Sequence, residues 1–183
     1  MGEPRNGGLR GRAALVTGAS SGLGRATAIA LAAAGADVAL VARGEEELTG
    51  ASEEASAAGG RTLALPLDLA GEDDAVSAVG QTVETFGRLD VLINAAGTDA
   101  PGPVEELDVE GWDRTLAVNL RAPFLLSKAA FPHMREAGGT IVNVSSVAGK
   151  KGWANASAYC ASKFGLTGFT QVTHGPCRAT PKL

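Results

Sequence analysis

The 183-residue chain is 45% apolar and 20% charged, with a formal net charge of −4. This length suits one domain with a buried core, and the composition excludes a disordered chain. The mixed charge gives no basic surface for nucleic acid, and no apolar run approaches the ~20 residues of a membrane span. Neither the two cysteines nor His133 and His174 have metal-ligand spacing, so we expect no metal site and a reduced, cytoplasmic protein.

Strand-like runs alternate with Ala-rich amphipathic segments from Arg12 onward. The runs are typical of strands buried on both faces of a parallel sheet, and they lie at 13–17, 37–42, 61–67, 89–94 and 139–145. Predicted helices lie at 22–34, 44–58, 72–86, 106–117, 119–137 and 156–172. This order predicts one α/β domain, a doubly wound parallel sheet of Rossmann type with five recognisable strands. The domain covers 11–172, between a flexible arm at 1–10 and an irregular tail at 173–183.

A glycine-rich turn directly follows the first strand and leads into the first helix. Gly18, Gly22 and Gly24 have the spacing GxxxGxG. Without Cβ atoms, such a turn lets a diphosphate approach the backbone and the positive end of the helix. The alternative is a tight turn that needs glycine only for its own conformation. The position of the turn between a strand and a helix of a βαβ unit favours dinucleotide binding.

The end of the second strand indicates which dinucleotide to expect. An acidic residue there would hydrogen-bond the ribose hydroxyls of NAD. This chain has Ala42 and then Arg43, whose guanidinium can pair with a 2′-phosphate, so NADP(H) is favoured over NAD(H). The alternative for Arg43 is a solvated loop position. Arg25 either assists with the same phosphate or lies on the surface.

Six motifs occur in order between about residues 9 and 171. They are TGASSGLG at 17–24, Asp68 in LPLDL, NAAG at 94–97, Asn119 in AVNL, Ser146 in NVSSVAG and YCASK at 159–163. With these motifs the chain resembles the short-chain dehydrogenase/reductase family, in its main single-domain subclass, and its general shape resembles the 3-oxoacyl-thioester reductases. The resemblance implies hydride transfer between a nicotinamide and a ketone or secondary alcohol.

The resemblance also implies roles for the matching residues. Ser146 would position the substrate oxygen, Tyr159 would move the proton, and Lys163 would bind the nicotinamide ribose and tune Tyr159. Asn119 would hold a distorted helix turn and anchor a water of a proton relay. Asp68 would hydrogen-bond the adenine. The implied cofactor contacts are Gly18, Ser20, Ser21, Gly22, Leu23, Gly24, Arg43, Asp68, Leu69, Asn94, Ala95, Ala96, Gly97, Tyr159 and Lys163, of which Asn94 would also brace the central strand.

The required chemistry explains the pairing of Tyr159 with Lys163. Four residues apart on a helix, the two side chains share one face. A free phenol has a pKa near 10, and making it a base at neutral pH requires stabilising the phenolate by roughly 4 kcal/mol. A nearby ammonium supplies part of this. Ser146 lies 13 residues before Tyr159, which is the family's usual register and favours it over Ser145.

The C-terminal region departs from the family pattern. Family members continue with a sixth strand, a Pro-Gly turn, a substrate loop and a seventh strand, whereas VTHGPCRATPKL follows Gln171 here. We expect either a tail produced by a frameshift, deletion or gene-annotation error, or a shortened protein that dimerises to cover strand five as an exposed edge. Two functions stay open: an NADP(H)-dependent oxidoreductase with a small carbonyl or alcohol substrate, or a catalytically inactive dinucleotide-binding fragment. A homo-oligomer built on helices 119–137 and 156–172 is compatible with both.

Overall fold

A computed structural model describes residues 8–135 and 137–173. Its five strands form one parallel sheet in the order β3-β2-β1-β4-β5. They are β1 (Ala13–Thr17), β2 (Asp37–Ala42), β3 (Thr62–Pro66), β4 (Val91–Asn94) and β5 (Thr140–Asn143). The chain first winds outward from β1 to β3 and then returns to add β4 and β5 on the other side. This doubly wound order confirms the predicted fold class.

Helices connect the strands on both faces of the sheet. They are α1 (Gly22–Ala33), α2 (Glu45–Ala58), α3 (Glu72–Phe86), α4 (Val109–Leu116), α5 (Ala122–Met134) and α6 (Ser157–Thr173). A π-helical turn, Ala117–Arg121, joins α4 to α5, and a short 3₁₀ turn, Val147–Gly149, precedes α6. Helix α4 begins three residues later than predicted, because the Asp108 side chain accepts a hydrogen bond from the Gly111 N–H and caps the helix there.

Two large apolar clusters, one on each face of the sheet, form the main core. Adjacent residues of β1 point to opposite faces, so Leu15 packs in the cluster with α3 and α5 while Val16 packs in the cluster with α1 and α2. On α1 the buried side chains are small, including Ala28 and Ala32, which lets this helix lie close to the sheet. The sheet therefore fixes the positions of all five carboxyl-terminal strand ends along one edge.

At the opposite end of the sheet, where the strands begin, a buried carboxylate, Asp90, lies just before β4. Its oxygens accept hydrogen bonds from the Ala13 N–H at 2.9 Å and from Arg12 at 2.6 Å. Arg88 donates two further bonds, both at 2.6 Å. Burial raises the pKa of Asp90, but the bonds from Arg88, Ala13 and Arg12 outweigh it and lower the pKa to about 2.

Two observations at the ends of the described chain bear on the predicted domain bounds. Leu9 and Arg10 fall within the predicted flexible arm, yet the Leu9 N–H donates to Ala34 O at 3.2 Å and its side chain packs on the core. Leu9 is therefore bonded to the domain, within the range predicted as the arm. Helix α6 continues to Thr173, one residue past its predicted end. The rest of the predicted arm (1–7) and tail (174–183), with His174, lies outside the described residues. No helix within 8–135 and 137–173 combines the length and apolarity of a membrane span.

Candidate functional site

The glycine-rich turn lies between β1 and α1, and its three glycines differ in what surrounds them. Gly18 has φ +65°, and a Cβ there would lie 2.8 Å from Ala96 Cα. A Cβ on Gly24 would overlap the Gly18 carbonyl. Gly22 has φ +53° but faces open space, with nothing within 4 Å. Packing within the protein thus accounts for Gly18 and Gly24, while Gly22 leaves room on its outer side for a ligand.

The start of α1 lacks the acidic residues found at the starts of α2 and α3. Its N-cap residue, Ser21, is extended and makes no side-chain cap, and the first turn contains no acid. Helices α2 and α3 each begin with three acidic residues. The first N–H groups of α1 are therefore available to an anionic ligand at the positive end of the helix.

A cavity of about 830 Å³ lies along this edge of the sheet. This volume falls within the range of small-molecule and cofactor sites. Among the predicted cofactor contacts, its walls contain Gly18, Ser20, Ser21, Gly22, Leu23, Gly24, Arg43, Asp68, Leu69, Ala95, Ala96 and Gly97. The predicted contacts Asn94, Tyr159 and Lys163 do not line it. Glu47, Thr98 and Arg114 line it as well, although the sequence did not indicate them.

Two groups of opposite charge stand where β2 ends at this cavity. Arg43 is exposed and forms no salt bridge with another residue in the described part of the chain. Glu47 turns back toward the backbone, since a Cβ on Gly44 would lie 2.5 Å from Glu47 Oε2. Arg25 instead points to α2, where it pairs with Glu54 at 2.6 Å. Arg43 is therefore the cation that faces the cavity here, and Arg25 lies in a surface ion pair.

Asp68 lies in the cavity wall after β3, held by backbone and side-chain donors. Its Oδ1 accepts from the Ala70 N–H at 3.1 Å, and Arg114 Nη2 lies 3.1 Å from Oδ1 and 3.0 Å from Oδ2. Burial raises the pKa of Asp68, but these donors and the nearby charge of Arg43 outweigh it, so the pKa is lowered. The carboxylate is thus ionised and positioned by a residue of α4.

One hydroxyl group, that of Thr17, holds the end of β1 to the NAAG segment. Its Oγ1 accepts hydrogen bonds from the N–H groups of Ala95 (3.0 Å) and Ala96 (3.1 Å) and donates to Ile93 O at 3.3 Å. On the other side of β4, Asn94 Nδ2 donates to Asn143 Oδ1 at 2.8 Å. The Thr17 bonds hold Ala95 and Ala96 in place in the cavity wall, between β1 and β4, where the winding of the sheet changes direction.

The π-helical turn contains Asn119, whose side chain is fully buried. Its Oδ1 accepts from the Thr98 N–H, and its Nδ2 donates to Thr98 O, both at 2.8 Å. The same Nδ2 lies 3.1 Å from Ser162 Oγ, which donates to Tyr159 O at 2.7 Å. Asn119 therefore ties the loop that follows β4 to the first turns of α6.

The two serines after β5 point to different partners. Ser145 Oγ lies 3.0 Å from Thr167 Oγ1 on α6. Ser146 is the N-cap of the 3₁₀ turn, and its Oγ accepts from the Ala148 N–H at 3.1 Å. Since Ala148 packs in a small cluster against which Tyr159 also packs, Ser146 begins the segment that lies beside the phenol.

Lys163 is almost completely buried, with 4% of its surface exposed. Its Nζ donates to Val144 O at 2.9 Å and lies 5.7 Å from the centre of the Tyr159 ring. Burial lowers the pKa of Lys163 because the ammonium loses solvation. The helix thus places a buried amino group against the face of a half-buried phenol, at the same sheet edge as the cavity.

Comparison with known proteins identifies the family. The model of the short chain dehydrogenase family matches residues 12–180. The chain therefore belongs to the short-chain dehydrogenase family, as the sequence motifs predicted.

Individual relatives agree with this assignment. The chain is 42% identical over 168 residues to trans-4-hydroxycyclohexanecarboxylate dehydrogenase of Sinomonas cyclohexanicum, covering 88% of this chain and 65% of that protein. A metagenomic short-chain oxidoreductase solved in complex with NADP superimposes with a TM-score of 0.87 at 42% identity, covering 90% of this chain and 76% of that one. An NAD⁺-bound xylitol dehydrogenase superimposes with a TM-score of 0.86 at 33% identity, covering 91% and 65%. The chain thus spans about 65% of the length of the curated relative.

Proposed function

We propose that this chain supplies the cofactor site and catalytic residues of an NADP(H)-dependent oxidoreductase that acts on ketones or secondary alcohols. The observation that carries the proposal is the buried Lys163 ammonium beside Tyr159, at the sheet edge that also bears the cavity. A bound nicotinamide would supply or accept the hydride. The dehydrogenase named above supports this class of reaction.

The residues of the cavity fit a phosphorylated dinucleotide. The uncapped start of α1 and the open side of Gly22 suit a diphosphate, because they offer free N–H groups and no Cβ. The Asp68 carboxylate suits the amino group of adenine. The preference for NADP(H) rests on Ala42, which has no carboxylate, and on Arg43, which faces the cavity without a salt bridge to a described residue.

Side chains of this protein can then transfer the proton to and from the substrate oxygen. In the reducing direction Tyr159 gives its hydroxyl proton to the substrate oxygen, and in the oxidising direction its phenolate takes that proton back. The positive charge of Lys163 favours the phenolate. Ser146 Oγ accepts its bond from the Ala148 N–H, which leaves its own hydrogen to donate to the substrate oxygen.

The test measures NADPH binding and NADPH oxidation side by side. Wild-type protein should show a thermal shift with NADPH and consume it with some members of a ketone panel. Tyr159→Phe keeps the ring but removes the proton, so turnover should fall by about 10²–10⁴-fold while the NADPH shift remains. Phe164→Leu, an exposed position on the same helix, is the matched control and should keep turnover. Equal turnover in wild type and Tyr159→Phe would contradict the proposed role.

The alternative function is nucleotide binding without turnover. It is favoured by the finding that Ser146, Tyr159 and Lys163 do not line the cavity. A thermal shift with NADPH but no oxidation of it by any ketone would support this alternative. Absence of both would exclude both functions.

A further inference from the structure

We propose that Arg114 is a positioning residue for purine recognition: it orients the Asp68 carboxylate so that one oxygen accepts a hydrogen bond from the exocyclic amino group of the cofactor's adenine. This inference rests on the proposed function. Both side chains line the cavity, and they come from distant parts of the chain, 46 positions apart.

The first step of the argument concerns the free acceptor positions of Asp68. A carboxylate offers about four lone-pair directions, two on each oxygen. Its Oδ1 already has two donors, the Ala70 N–H and Arg114 Nη2. Its Oδ2 has Arg114 Nη2 alone. One lone-pair direction of Oδ2 is thus left to accept from a ligand.

The second step concerns what the Arg114 contact contributes. The side chains of Arg114 and Asp68 are 37% and 43% exposed, and ion pairs with this much solvent contribute little to the free energy of folding. The contact of one nitrogen with both oxygens nevertheless fixes the rotation of the carboxylate. Without Arg114, the Ala70 N–H would hold Oδ1 alone, and Oδ2 would be free to turn away from the cavity. The consequence of the pair is therefore orientation.

The third step concerns which ligand group this oxygen selects. An amino group at purine position 6 donates a hydrogen bond to a carboxylate, whereas a carbonyl at the same position presents a second acceptor and is repelled. The arrangement of Asp68 and Arg114 thus favours a 6-amino purine over a 6-oxo purine. Arg114 would set this preference without touching the purine itself.

The test compares NADPH with the reduced hypoxanthine analogue of NADPH, in which oxygen replaces the 6-amino group. Dissociation constants for both are measured by titration calorimetry. Wild type should prefer NADPH by roughly tenfold or more, as expected for a hydrogen bond to a charged acceptor. Arg114→Met should weaken NADPH binding and leave the analogue within about twofold, so that the preference nearly disappears. Arg114→Lys keeps the charge but not the planar group, and it should retain part of the preference.

The controls separate orientation from stability. Arg121→Met removes a nearby arginine that pairs with Glu72 instead, and it should keep the wild-type preference. Equal weakening of both nucleotides by Arg114→Met would show a merely structural role and overturn the inference. If that variant fails to fold, an unchanged preference in Arg114→Lys would overturn it. A wild type that binds both nucleotides equally overturns this inference but not the proposed function, whereas a wild type that binds neither overturns both.

Discussion

Asn119 Nδ2 lies 3.1 Å from Ser162 Oγ, and this contact connects the π-helical turn to the helix that carries Tyr159 and Lys163. The same carboxamide closes a pair of hydrogen bonds with the backbone of Thr98, in the cavity wall. A single buried side chain thus joins the cavity wall to the residues proposed to move the proton. This relationship gives Asn119 a measurable role in stability.

Asn119→Ala should lower the free energy of unfolding by about 2 kcal/mol, because the N–H and C=O of Thr98 both lose their partner in a partly buried region. Ser162→Ala should cost less, about 1 kcal/mol, because it removes a hydroxyl that donates to Tyr159 O. Urea unfolding followed by circular dichroism gives both values. Equal losses in the two variants would contradict the assignment of the Thr98 bonds to Asn119.

Gly149→Ala should destabilise the fold by about 2 kcal/mol through overpacking. A Cβ there would lie 2.6 Å from both Ser145 Oγ and Thr167 Oγ1 and 2.8 Å from Lys163 O, so the 3₁₀ turn would have to move away from α6. Gly152→Ala is the matched control in the same loop, since nothing lies within 4 Å of its Cβ position. The measurement is the urea midpoint of each variant. If Gly152→Ala proves as harmful as Gly149→Ala, the close approach is not the cause.

Asp90 should make the protein sensitive to acid. Its pKa of about 2 in the folded protein lies below the ordinary 3.8, so its contribution is fully present above about pH 4 and is lost as the pH falls toward 2. The shift corresponds to about 2 kcal/mol. Asp90→Asn should therefore be less stable than wild type at neutral pH, and the two urea midpoints should converge between pH 4 and pH 2. Parallel pH profiles would show that Asp90 does not contribute in this way.

Arg43 and Glu47 should act in opposite directions on the cofactor's 2′-phosphate. Arg43→Ala should weaken NADPH binding about tenfold and leave NADH nearly unchanged, because only NADPH has the charge that the guanidinium pairs with. Glu47→Gln should strengthen NADPH binding relative to NADH by about twofold, most clearly at low salt, because it removes a negative charge from the same wall. Arg25→Ala, whose partner is Glu54, should change neither affinity. If Arg43→Ala weakens NADH as much as NADPH, the guanidinium does not distinguish the two cofactors.

The sequence predicts the fold well because its signals are local. Apolar runs and glycine turns repeat in the order of a doubly wound sheet, and the strand boundaries agree with the structure within two residues. The predicted start of α4 was three residues too early, although Asp108, a favoured N-cap residue, stands immediately before the helix and is a local signal for its start. The remaining predicted roles in the proton relay and at the nicotinamide ribose stay predictions.

The sequence does not reveal Thr17, Ser162 or Arg114. Each side chain binds a partner between 43 and 78 positions away, and such contacts depend on the register between elements. Hydrophobic periodicity carries no information about that register. Thr17 begins the TGASSGLG motif and Ser162 lies inside the YCASK motif, so these two motifs offered the local signals, whereas Arg114 had none.

The bonds of Thr17 join the end of β1 to the residues that follow β4, and this pairing of distant segments bears on the order in which the chain folds. Strands β1 and β2 pair across 24 positions, as between Ala13 and Asp37, whereas β1 and β4 pair across 77, as between Ala14 and Val91. Closing the longer segment costs more chain entropy, and contacts distant in sequence slow folding. We therefore expect the N-terminal strands to assemble first and the β1–β4 junction to form late. Because that junction brings together the two walls of the cavity, the ability to bind a nucleotide would be among the last properties that the folding chain acquires.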